Sequence, residues 1–114
     1  MWLITTTGFY SIVQKPGEKD LTIRSRVRKD LEALRDKYLP NLGEIVRNKN
    51  TDYRYRAKVS HADLAKAVSQ MVLDIDYDNF KNTVAKVQGH NRSNVYSTIW
   101  EDLQVLEKEE LSSD

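Results

Sequence analysis

The chain has no cysteine, two prolines and four glycines in 114 residues. Without cysteine, disulfides, thiolate zinc sites, iron–sulfur clusters and cysteine nucleophiles are excluded, and a reducing compartment is compatible. No apolar run approaches the roughly 20 residues that a membrane helix needs. Met1-Trp2-Leu3-Ile4 lacks the basic n-region of a signal peptide and soon passes into threonines, so a cytoplasmic location with no membrane partner is expected. The sequence also lacks GxSxG, a P-loop and GxGxxG. Its two histidines, His61 and His90, join no recognisable nucleophile–base–orienter set. The expectation is therefore a non-catalytic protein with no cofactor.

What the chain does have is charge, distributed unevenly. Lys+Arg total 18 against 17 Asp+Glu, a net charge of +1. Residues 1–60 hold 13 basic and 7 acidic side chains, or +6, whereas residues 61–114 hold 5 and 10, or −5. A basic surface contributed by the first half is expected.

The pattern predicts an α+β domain over residues 1–108, followed by an acidic tail at 109–114 that frays. Trp2–Thr7 and Phe9–Gln14 are rich in aromatic and β-branched residues, with Gly8 between them. Lys15-Pro16-Gly17-Glu18 is a turn. Leu21–Val27 and Tyr53–Val59 alternate at strand period. A helix is predicted from Val27 to Pro40, with a short strand or turn at 42–46. Ser60 with Asp63 resembles a capping box before a helix carrying Leu64, Val68, Met71, Val72 and Ile75. The rest is helical, with Asp76 or Asp78 capping one segment and Asn91 or Ser93 the next. About four mostly antiparallel strands with helices on one face, a ferredoxin-like variant, fit this order.

Three features can carry function. Alternation places Arg24 and Arg26 on one side of their strand, and Arg54, Arg56 and Lys58 on one side of theirs. If both sides coincide, five cations suit a polyanion, either nucleic acid or an acidic protein surface. Trp2 and Tyr10 are the candidates for stacking on bases. The plain alternative is a solvated sheet face, with acids such as Glu44 neutralising the cations.

Asp74-Ile75-Asp76-Tyr77-Asp78 is the second feature. It fails as an EF-hand, having Asn79 at the sixth position and Ala85 at the twelfth, so no metal site is assigned. The alternative function rests on it: a divalent-metal-dependent hydrolase or nuclease using Asp74, Asp76 and Asp78 with His61 or His90. Trp100, with Tyr96, Ile99 and Leu103, is the third: a core stripe, or the face of a homodimer.

Residues 2–15, the run Asp52-Tyr53-Arg54-Tyr55-Arg56-Ala57, the run from Asp74 to Lys81, and Val95-Tyr96 with Trp100 together resemble a family of small bacterial proteins found among cyanobacteria and actinobacteria. The resemblance covers roughly residues 1–105. It implies a small cytosolic α+β protein and, the family having no established activity, lends nothing to any catalytic claim.

Overall fold

The computed structural model describes residues 1–112. Contacts divide the chain into two compact units, Met1–Asp76 and Tyr77–Asp114. The first holds strands β1 (Trp2–Ile4), β2 (Phe9–Val13), β3 (Leu21–Ser25), β4 (Val46–Arg47) and β5 (Tyr55–Val59), and helices α1 (Arg28–Lys37) and α2 (His61–Leu73). The second holds α3 (Phe80–Gln88), α4 (His90–Leu103) and α5 (Val105–Ser112). The α+β class is as expected, with a fifth, two-residue strand. No helix among the described residues is long and apolar enough to cross a membrane.

All strand pairs are antiparallel, in the order β1-β2-β3-β5-β4. A three-stranded meander, a helix and a hairpin thus replace the split βαβ order of ferredoxin-like folds, while the antiparallel sheet and one-sided helices are retained. Each tight link has a local cause. Between β1 and β2, the Thr5 amide donates to the Gly8 carbonyl at 2.9 Å. Between β2 and β3, Gly17 takes φ +77°, which glycine adopts without steric cost.

One sheet face is buried. Tyr10, Ile12, Ile23, Ala57 and Val59 pack with Leu31 and Leu34 of α1 and Leu64 and Ala67 of α2. Full burial of each large apolar side chain contributes roughly 1.5–3 kcal/mol. Tyr10 brings a hydroxyl into this core. It donates to the Asp30 carbonyl at 2.7 Å, while the Asp30 carboxylate accepts from the Phe9 amide at 3.1 Å. Asp30 thereby ties the start of α1 to the start of β2.

Ser60 caps α2, its hydroxyl accepting from the Asp63 amide at 3.1 Å, as the capping pattern predicts. In the second unit the caps differ from expectation. Asn79, not Asp76 or Asp78, caps α3, because its side chain accepts from the Asn82 amide at 3.0 Å. Helix α4 begins at His90 behind Gly89, and neither Asn91 nor Ser93 caps it. Ser93 instead donates to the Lys81 carbonyl at 3.0 Å and joins α4 to α3. The C-terminal stripe is only partly core. Val84 and Tyr96 are buried, but Trp100 is 56% exposed, with the Lys81 ammonium 4.8 Å from its ring centroid. Of the segment 109–114, Glu109 to Ser112 continue α5, and Ser113 and Asp114 lie outside the described residues.

Candidate nucleic-acid interface

The side chains that face away from α1 and α2 form the candidate site. Strand register decides its membership, since directly paired residues project to the same side. Trp2 pairs with Ser11, Ser11 with Arg24, Arg24 with Arg56, and Arg56 with Val46. These five residues make one row across all five strands on the outer face. A second row is Val13, Thr22 and Lys58. Arg24, Arg56 and Lys58 therefore project from the same side of the sheet.

Tyr53 organises the cations. The Arg24 guanidinium carbon lies 4.6 Å from its ring centroid and that of Arg26 lies 4.5 Å away. Arg26 also donates to the Asp52 carbonyl at 2.8 Å, and the Arg24 Nη2 donates to Ser11 Oγ at 2.7 Å. Arg24 Nε is buried and has no hydrogen-bond partner, so this side chain holds an unused donor. Arg54 is exposed and makes no hydrogen bond or ion pair among the described residues. Lys58 is the exception. Its ammonium contacts Glu18 Oε1 at 2.7 Å, whereas Arg24, Arg26, Arg54 and Arg56 form no ion pair among the described residues. The neutralising acid is Glu18, from the β2–β3 turn, and not Glu44. The hydrogen bond from Lys58 holds the Glu18 carboxyl below the ordinary glutamate range, with burial opposing and the charges of Lys58 and Lys15 assisting.

An aromatic row adjoins the arginines. Trp2 meets Phe9 edge to face at 5.4 Å between centroids, and Phe9 meets Tyr53 at 6.4 Å. Trp2 is 67% exposed and open to stacking. Tyr10 is not available for it. It is fully buried on the helix side, because Phe9, Ser11 and Val13 take the outer face and leave Tyr10 and Ile12 to the core. Sequence reasoning missed Phe9 and Tyr53 as members of the site. Alternation assigns Tyr53 to the same side as Tyr55, but β5 begins only at Tyr55. The preceding loop is held by Thr51, which donates to the carbonyls of Asn48 and Tyr53, and this turns Tyr53 outward. The polar run 48–52 was the available signal that the strand starts late.

Of the carboxylates of the second feature, Asp74 is engaged. Asp74 accepts from the Tyr38 hydroxyl at 3.0 Å and from Gln70 Nε2 at 2.8 Å, one on each oxygen. Among the described residues no three His, Asp or Glu side chains gather to hold a metal ion. Asp74, Asp76 and Asp78 with His61 or His90, the residues of the metal-dependent hydrolase or nuclease alternative, thus form no metal-holding group among the described residues.

A groove opens on the same outer face, with a volume of about 380 Å³. Lys15, Thr22, Glu44, Val46, Arg56 and Lys58 line it. No family model, curated protein or solved structure matches the chain.

Proposed function

We propose that the outer sheet face of the Met1–Asp76 unit binds single-stranded nucleic acid, as a non-catalytic module. The observation that supports this most is the Trp2–Ser11–Arg24–Arg56–Val46 row beside the Trp2–Phe9–Tyr53 aromatics. Arginines at strand spacing suit phosphates, and an exposed indole at the end of the row suits a base. An acidic protein surface would use the charges but has no need of an open stacking ring, so the nucleic acid is the favoured partner. A single strand is favoured over a duplex because only unpaired bases offer their faces.

The chain has two tryptophans, so replacing Trp100 by Phe leaves Trp2 as the sole indole reporter. Addition of a short single-stranded oligonucleotide at low salt is expected to quench its emission. The affinity should fall with salt at a log–log slope of about −0.7 per phosphate contacted, near −3 if four arginines engage. Charge reversal at Arg54 and Arg56 should abolish binding. An absence of quenching and of binding at low salt, or binding that survives the reversal, would overturn the proposal.

A further inference from the structure

Helix α4 carries its charges against its own dipole. Its first turn holds Arg92 and no acid, and its last turn holds Glu101 and Asp102 and no base. A helix favours negative charge at its start and positive charge at its end, so both ends of a solitary α4 are mismatched. Between them lies an apolar stripe. Val95, Ile99 and Leu103 follow one another at four-residue spacing, which sets them on one side of the helix. Val95 and Leu103 are each more than half exposed in the whole chain, and Ile99 is partly buried. Helix α3 packs beside this stripe, on Tyr96 and Ser93. Its Phe80 stacks on Tyr96 at 5.9 Å between centroids, and its Lys81 carbonyl accepts from the Ser93 hydroxyl. Arg92 stands three residues before Val95, and Asp102 three residues after Ile99, so the two charges flank the stripe. Arg92 is held along the helix by its bond to the Tyr96 hydroxyl at 3.2 Å.

We infer that this stripe docks a second copy of the chain, α4 against α4, antiparallel about a two-fold axis. The order of the charges selects that occupant. In an antiparallel pair the positive dipole end of each helix lies beside the negative end of the other, and both mismatches are relieved. Arg92 and Asp102 lie five residues either side of Ser97, and Val95 and Ile99 two residues either side. A crossing level with Ser97 therefore sets Arg92 of each copy against Asp102 of the other, and Val95 against Ile99. A parallel pair would oppose Arg92 to Arg92 and Asp102 to Asp102. A basic amphipathic helix from another protein would meet Asp102 but be repelled by Arg92. The antiparallel contact is self-complementary, the form that two-fold dimers take. Removal of Val95, Ile99 and Leu103 from water drives the association, and the charges fix its orientation. It also enlarges a small core, since Val84 and Tyr96 are the buried apolar side chains of the Tyr77–Asp114 unit among the described residues.

The test weighs the full chain by sedimentation equilibrium at low, fixed salt, from about 1 μM to about 1 mM. A reversible rise from the 13.3 kDa of one chain to twice that mass is expected. Val95→Glu changes an exposed helical position. It should keep the circular dichroism spectrum of the parent and stay monomeric throughout. Asp102→Arg and Arg92→Asp should each weaken the dimer about tenfold, because each sets like charges together. An equal mixture of these two variants should recover the parent's affinity, since a mixed pair has opposite charges at both contacts. A role of Arg92 or Asp102 confined to folding would give no such recovery. A chain that is monomeric at every concentration would overturn the inference. So would a dimer that survives Val95→Glu, or a mixture that associates no better than either variant alone. A monomeric chain that binds a synthetic basic amphipathic helix would give the stripe to a different protein and overturn the second copy.

Discussion

Arg24 and Arg56 are direct partners across the β3–β5 ladder, two like charges opposed on one face, and neither forms an ion pair among the described residues. Opposed like charges destabilise a sheet by roughly 0.2–1 kcal/mol. The Tyr53 ring beneath Arg24 and the Tyr53 carbonyl, 3.5 Å from Arg56 Nε, offset part of that cost. Such a pair is better suited to meeting an external anion than to holding the sheet.

Arg56→Thr should therefore separate stability from binding. Threonine suits a strand and removes the repulsion. At low salt the variant is expected to melt at the same temperature as the parent or to gain about 0.2–1 kcal/mol. The gain should vanish in 1 M salt, where screening is strong. Oligonucleotide affinity should fall in the same protein. A clear loss of stability at low salt would show that Arg56 is structural, and that the face is built for the fold alone.

The Lys58–Glu18 pair gives a second lever. With Glu18 neutralised, Lys58 is released to the face. Glu18→Gln should tighten binding at neutral pH and steepen the salt slope by about 0.7. The same pair makes a pH prediction. Because the Lys58 hydrogen bond depresses the folded carboxyl, the pair's stabilisation is present above the unfolded glutamate value and is lost as pH falls through the lower folded one. The difference in melting temperature between the parent and Glu18→Gln should be constant near neutrality and shrink below about pH 4.3. A difference that grows on acidification would contradict the assignment.

The particular residues show which parts of this arrangement can be read from sequence. Period-2 alternation places Arg24, Arg56 and Lys58 together because pleating is local and each strand is interrupted by neither Gly nor Pro. Ser60 is recognisable as a cap for the same reason: its partner is three residues away. Where the deciding contact is distant, the sequence is silent. Tyr10 looks like a surface aromatic until Asp30, 20 residues on, takes its hydroxyl. Asp74 looks like a ligand until Tyr38, 36 residues earlier, takes an oxygen. Lys58 looks free until a turn 40 residues earlier delivers Glu18.

Gly8 and Tyr10 test the corrected placement of the core. A Cβ at Gly8 would lie 2.7 Å from the Asp30 carboxyl carbon and 2.8 Å from the Tyr10 hydroxyl. Both groups are buried and fixed, so Gly8→Ala is expected to cost about 1–3 kcal/mol as overpacking. Tyr10→Phe removes the hydrogen bond to the Asp30 carbonyl and should cost roughly 0.5–1.5 kcal/mol in denaturant melts. Its oligonucleotide affinity should be unchanged while the protein remains folded. Reduced affinity in the folded Tyr10→Phe protein would return Tyr10 to the binding face.

Trp2 carries the stacking half of the proposal and can be tested with little effect on the fold. It is mostly exposed, and its contact with Phe9 is T-shaped. Trp2→Ala should leave the melting temperature nearly unchanged while weakening oligonucleotide binding by about 1–3 kcal/mol, the scale of one stacked base. Trp2→Phe should recover part of that loss, since phenylalanine keeps a ring at the same place on β1. The salt slope should be the same in all three proteins, because stacking neutralises no phosphate. Unaltered affinity in Trp2→Ala, with the slope intact, would reduce the face to a purely electrostatic one, and the preference for unpaired strands would then have to disappear in a comparison of single-stranded with duplex oligonucleotides.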